Sequence, residues 1–156
     1  MDIKIYQGSG EKHNLSTFKL AVDFYFKKLF TTLQIQKINK VRIYIKTMEK
    51  DYGECFDHKN PDGTYDITIN IHKNEPFHDI IATLAHELIH VKQVILGFLK
   101  YKSSEWYWKG KSYGPTPYKG LSELQQSSKL PWEKEAYDKE RTLAKSFFNW
   151  LYDNVY

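Results

Sequence analysis

The chain has 156 residues, 41% of them apolar and 16% aromatic, which excludes a disordered or fibrous protein and fits one domain around one core. The net charge of +4 comes from lysines scattered among acidic residues, a mild bias that fits a solvated surface and does not by itself call for an acidic partner. A single cysteine, Cys55, excludes an internal disulfide and fits a reducing compartment; Cys55 reads as a small buried hydrophobe rather than a nucleophile or ligand.

The N-terminus has no signal-peptide core, and no apolar run is long enough to cross a bilayer, so a cytoplasmic protein without membrane contact is expected. Residues 1–14 are short and polar, with a small edge strand at Ile3–Tyr6. Leu15–Leu33 reads as the first helix, capped by Asn14 or Ser16. Leu20, Phe24, Phe26, Leu29, Phe30 and Leu33 recur on its inner face, with Lys19, Asp23, Lys27 and Lys28 turned outward.

Residues 40–47 alternate, with Val41, Ile43 and Ile45 on one face and Arg42, Tyr44 and Lys46 on the other, the pattern of a half-buried strand. Residues 52–58 form a weaker strand. Residues 59–64, with Asp62-Gly63, form a turn, and 65–72 alternate again through Ile67, Ile69 and Ile71. These strands are expected to make a small, mainly antiparallel sheet packed on helices.

The next helix starts at Asn74-Glu75-Pro76, where proline suits a first turn, and ends near Leu96 with Gly97 as its stop. Asp79 suits the positive end of its dipole. Leu84, Leu88, Val91 and Ile95 form its apolar stripe. His86 and His90, with Gln93 or Val94 beyond them, lie on another face, directed to a cleft. Residues 98–130 are aromatic, punctuated by Gly and Pro, and weakly periodic; 105–113 read as a hairpin turning at Lys109-Gly110, and 114–120 as a loop. Pro131 opens a last helix to about Tyr152, with Ala136, Leu143, Phe147, Trp150 and Leu151 on its core face.

The chemistry concentrates in His86-Glu87-Leu88-Ile89-His90. Two histidines four residues apart on a helix project side by side and can hold one zinc ion, and Glu87 beside them can take a proton from an activated water. Catalytic zinc needs a third protein ligand. The best placed residues are Glu133 and Glu135, in the first turn of the last helix. His13, His58, His72 and His78 compete less well; His78 lies two turns before His86.

Ala85-His86-Glu87-Leu88-Ile89-His90-Val91-Lys92-Gln93 resembles the H-E-x-x-H helix of zincin metallopeptidases. Glu133-Lys134-Glu135-Ala136-Tyr137 resembles the E-x-x-A-D or E-x-E-A-D/N element of gluzincin-like families, and the pair is similar to that of small phage and bacterial metallopeptidases. The likeness covers about 40–97 and 131–145. It implies a single α+β zincin-like domain over 1–156: the small sheet packed on an N-terminal helix, the H-E-x-x-H helix and a C-terminal helix. It also implies one Zn2+ ion held by His86, His90 and Glu133, with Glu135 next in line, and Glu87 as general base in peptide-bond hydrolysis. Where the family has Asp or Asn to brace a zinc-bound histidine, this chain has Tyr137; the Tyr137 hydroxyl or Asp138 is expected to take that part. By the same likeness a substrate peptide should pair with the strand at 65–72.

The oxyanion donor is sought among Tyr107, Tyr113 and Tyr118. The expected partner is a protein or peptide substrate, met by a monomer. Two other readings stand beside this one. The first is a nucleic-acid-associated protease similar to SprT-like domains, with Lys100, Lys102, Lys109, Lys111 and Lys119 among Trp106, Tyr107 and Trp108 as a basic aromatic platform. The second is a binding module with a zinc-stabilised fold and no catalysis. A repressor-cleaving peptidase would need a helix-turn-helix module, which this sequence does not suggest.

Overall fold

The computed structural model describes residues 1–8 and 13–156, so part of the polar N-terminal stretch lies outside the described residues. In chain order the elements are β1 (Asp2–Gln7), α1 (Leu15–Leu29), α2 (Thr32–Ile35), β2 (Ile38–Lys46), β3 (Gly53–Lys59) and β4 (Tyr65–His72). They continue with α3 (Phe77–Ile95), β5 (Leu99–Lys102), β6 (Glu105–Trp108), β7 (Lys111–Ser112), α4 (Glu123–Lys129) and α5 (Pro131–Val155). The α+β architecture expected from the sequence is present.

The main sheet has the order β1-β2-β4-β3. It is not mainly antiparallel. β1 runs parallel to β2, β2 runs parallel to β4, and only the β3–β4 pair is antiparallel. The cause lies in the connections. A helix between β1 and β2 carries the chain back to the end where β1 began, so β2 starts alongside it. The turn at 59–64 joins β3 to β4 as the expected hairpin, with Gly63 at φ +88° and the Thr64 N–H donating to the Asp62 carboxylate at 2.9 Å. Since β2 and β3 flank β4 on both sides, the expected substrate strand at 65–72 has no free edge. The free edges of this sheet are β1 and β3.

The alternation in β2 and β4 sends Val41, Ile43, Ile45, Ile67, Ile69 and Ile71 to one face, each no more than 1% exposed, where they join one cluster with Phe18, Ala21 and Tyr25 of α1. α3 adds its stripe of Leu84, Leu88, Val91 and Ile95, and α5 adds Ala136, Phe147 and Leu151 to the same cluster. Leu143 and Trp150 pack against its border. The Tyr25 hydroxyl donates to the Ile81 carbonyl at 3.2 Å, tying α1 to α3 inside this core.

The first helix is shorter than its periodicity suggests. Asn14, not Ser16, caps it by accepting from the Thr17 N–H at 3.1 Å, and it stops at Phe30. Thr31 and Gln34 then form a capping box that starts the separate α2, leaving Leu33 exposed. Pro76 caps α3 from just outside its first turn, and Gly97, at φ +76°, follows its end. The segment at 98–130 is more ordered than its composition implies. β5, β6 and β7 form a three-stranded antiparallel sheet, and the β6–β7 turn has Lys109 and Gly110 both at positive φ. Leu99, Leu130 and Trp132 make a second, smaller core under that sheet, with Trp106, Trp108, Tyr113 and Tyr118 packed on it.

Candidate metal centre

α3 and α5 build the site between them. On α3, four-residue spacing puts His86 and His90 side by side, with ring centroids 4.8 Å apart and the two Nε2 atoms 3.2 Å apart. Two nitrogens bound to one tetrahedral zinc at 2.0–2.1 Å would lie roughly 3.3 Å apart, so the imidazoles have the spacing of a ligand pair. Pro131 opens α5 and delivers Glu133 in its first turn. The Glu133 carboxylate meets His90 Nε2 at 2.5 Å and His86 Nε2 at 3.5 Å. These three residues each offer one ligand atom within 4.8 Å of the others, and among the described residues they are the one group of this kind.

What holds each imidazole was not legible beforehand. His86 Nδ1 lies 3.1 Å from Glu140 Oε2, and His90 Nδ1 lies 2.8 Å from Gln93 Oε1. A carboxylate can only accept, so His86 carries its proton on Nδ1 when neutral and keeps the Nε2 lone pair for a metal. Gln93 is oriented in turn: its Nε2 donates to the Trp132 carbonyl at 3.0 Å and to Glu135 Oε1 at 3.1 Å. Its oxygen is therefore the end left to accept from His90. Glu135 thus acts through Gln93 and does not reach the imidazoles as a ligand. The expected brace is corrected as well. Asp138 pairs with Lys134 at 2.8 Å on the exposed side of α5, and the Tyr137 ring lies edge-on to His86 at 4.6 Å. Glu140 lies two turns beyond Glu133 on the same helix face, a spacing that a search for bracing carboxylates could have used.

The electrostatics match a buried group of opposite charges. Burial lowers the basicity of His86, but hydrogen bonds to Glu133 and Glu140 outweigh it and lift its pKa to about 10. His90 is raised too, burial being overcome by its hydrogen bond to Glu133. Burial would raise Glu133, yet its two histidine partners bring it down to about 2. Glu87, 5% exposed, is pushed up chiefly by burial. Burial, then Glu87 and Asp57, also push the Cys55 thiol up. Cys55 packs on the core border and lines the cleft, outside the ligand group.

The site opens into a cleft of about 1260 Å3, walled by β3, one face of α3 from His78 to Val94, the β5–β6 ribbon and α5 from Glu133 to Phe148. Of the three tyrosines considered from the sequence, Tyr118 lines this cleft. Its hydroxyl accepts from Trp132 Nε1 at 2.5 Å and donates to Glu133 Oε1 at 3.5 Å. Burial, then Glu133, pushes its ionisation up, which keeps the phenol protonated. Tyr107 instead donates to Glu105 at 3.1 Å, and Tyr113 packs edge-on to Trp132 at 5.1 Å. Trp106 and Trp108 also lie against Trp132, with centroids at 6.2 and 6.3 Å, so their faces are spent on the smaller core. The competing histidines do not join the group: His13 Nε2 meets the Lys73 carbonyl at 2.6 Å, and His78 lines the cleft but sits exposed beside Asp79.

No known protein family, characterised protein or solved structure matches this chain. No helix among the described residues is long and apolar enough to cross a membrane.

Proposed function

We propose that the chain is a metal-dependent hydrolase. More particularly, we read it as a zinc metallopeptidase of the zincin type, acting on protein or peptide substrates. The observation that carries this is the convergence of two imidazole nitrogens and the Glu133 carboxylate, with the buried Glu87 next in sequence to the first histidine. His86, His90 and Glu133 would hold the ion: two neutral nitrogens and one carboxylate suit zinc and leave a fourth position for water. Zinc, when bound, supplies a Lewis acid that polarises a carbonyl and acidifies water.

The chain's own groups supply the rest. Glu87 accepts the proton of the attacking water and delivers it to the leaving amine, and its raised basicity suits both steps. Tyr118 accepts from Trp132 Nε1 and donates to Glu133 Oε1 at 3.5 Å, a long bond whose proton can turn to the developing oxyanion. A substrate backbone pairs with the free edge of β3, whose inner face lines the cleft. The single cysteine, which can form no internal disulfide, fits a reducing compartment such as the cytoplasm.

The test is zinc-loaded protein incubated with a peptide library and read by mass spectrometry. Glu87→Gln should keep zinc and lower turnover by about 10²–10⁴-fold. An active variant sinks the assignment. Zinc binding by the wild type with no cleavage anywhere in the library would favour the non-catalytic binding module. The SprT-like reading draws less support, because Trp106 and Trp108 face Trp132 rather than an open platform; it would be revived by DNA binding with a steep salt dependence.

A further inference from the structure

α3 packs tightly on β3 at Gly53. A β-carbon built on Gly53 would lie 2.5 Å from Thr83 Cγ2, 3.0 Å from Glu87 Oε1 and 3.3 Å from Glu87 Cγ. Thr83 and Glu87 are four residues apart on α3, so both side chains leave the helix on one face and meet the bare backbone of β3 there. Gly53 has an ordinary negative φ, so backbone conformation does not demand glycine. The demand is for space. The neighbouring inward position on the strand is the small Cys55, whose thiol feels the Glu87 charge.

We infer that Gly53 is a positioning residue for Glu87: the missing side chain lets the carboxylate lie against the edge strand, pointed along it into the cleft. The inference rests on the metallopeptidase reading for its catalytic meaning, but not for its geometry. Any side chain at 53 must displace something. The 2.5 Å contact is relieved only by a shift of Thr83, which is β-branched and stiff on its helix, or of the strand itself. The Glu87 oxygen at 3.0 Å, the far end of a flexible chain, must also give, and with Thr83 cut back to Ser it is the nearest group left to yield. The same strand edge would then align the peptide and fix the base relative to it, which makes the base-to-substrate distance a property of one strand rather than of two separate elements.

The experiment is Gly53→Ala, assayed beside the wild type for zinc affinity, melting temperature, kcat and KM, with a crystal structure of each. The expected result is a kcat lower by about tenfold or more, with KM and zinc affinity within about threefold of wild type, and a Glu87 carboxylate moved away from residue 53. The double variant Gly53→Ala with Thr83→Ser removes the atom nearest the new methyl. If the single variant does not fold, the double one stands in for it, because the Glu87 contact remains. Loss of zinc binding in step with activity would overturn the inference, as would wild-type kcat. If the wild type itself cleaves nothing, the enzyme reading fails on its own, and the crystal structures still decide this one: a Glu87 carboxylate left in its wild-type place in Gly53→Ala overturns it.

Discussion

Two hydrogen bonds decide which nitrogen of each histidine is free. Glu140 and Gln93 engage the Nδ1 atoms of His86 and His90, so both Nε2 atoms face Glu133. Removing either brace lets its ring rotate and tautomerise, and Glu140→Ala or Gln93→Ala should each weaken zinc binding by about 10–100-fold, read by competition with a chromophoric chelator. Asp138→Ala, on the exposed side of α5, should leave it unchanged. The same pairings set a pH dependence. In metal-free protein the raised His86 pKa favours its charged form, so that stability is fully present below the ordinary value of 6.5 and is lost as pH rises through about 10. Glu133 works in the opposite sense: its contribution is present above 4.5 and is lost as pH falls through about 2. Zinc must displace the histidine protons, so its affinity should tighten across the window in which the metal-free melting temperature falls. Parallel melts and zinc titrations between pH 6 and 10 would check both trends. The side-by-side placement of His86 and His90 was legible because spacing on a helix is geometry written in sequence, whereas Glu133 could be preferred to Glu135 only by the likeness of its segment to a known motif. The braces were harder: Gln93 and Glu140 are recognisable only once α5 is known to lie against α3, since an amide three residues past a histidine has no chemistry of its own.

Strand order is where the sequence said least. Alternation marks Val41, Ile43 and Ile45, and Ile67, Ile69 and Ile71, as inward rows, but any order of the strands would bury the same residues. The succession of β1, α1 and β2 was the one available sign of a parallel pair, and it depended on reading the faint strand at 2–7 as a full partner of β2. Helix ends were more legible, because a cap is local. Asn14 accepts from the Thr17 N–H, and Ser16 donates to the same Asn14 oxygen at 2.8 Å, which explains why both looked like caps and only one is. Asn14→Ala should cost about 1 kcal/mol and lower the melting temperature by about 2–4 °C without touching zinc affinity, since α1 meets the site only through the core. α4 leaves no mark in the hydrophobic periodicity because it buries no residue; it starts at the Ser122–Gln125 capping box and lies against α5.

At the scale of the whole molecule, His86, His90 and Glu133 sit between two cores rather than inside one. The main core joins the sheet to α1, α3 and α5, and the smaller one seats the β5–β6–β7 ribbon on Trp132. His86, His90 and Glu133 bridge α3 to α5, and those helices also pack through Leu88, Ala136 and Phe147 in the main core. The fold therefore does not depend on a metal in the way a zinc finger does, where the ion supplies the folding energy outright. Chelation should leave the far-ultraviolet circular dichroism of the folded protein in place. It should remove only the binding contribution, about 4 kcal/mol when free zinc stands at a thousand times its Kd. For a chain of this size that is a drop of roughly 10 °C in melting temperature, and adding zinc back should restore it. If EDTA instead abolished the helical signal at room temperature, the site and not the two cores would be holding the chain together, and α5 would be docked by its ligand rather than by its apolar face.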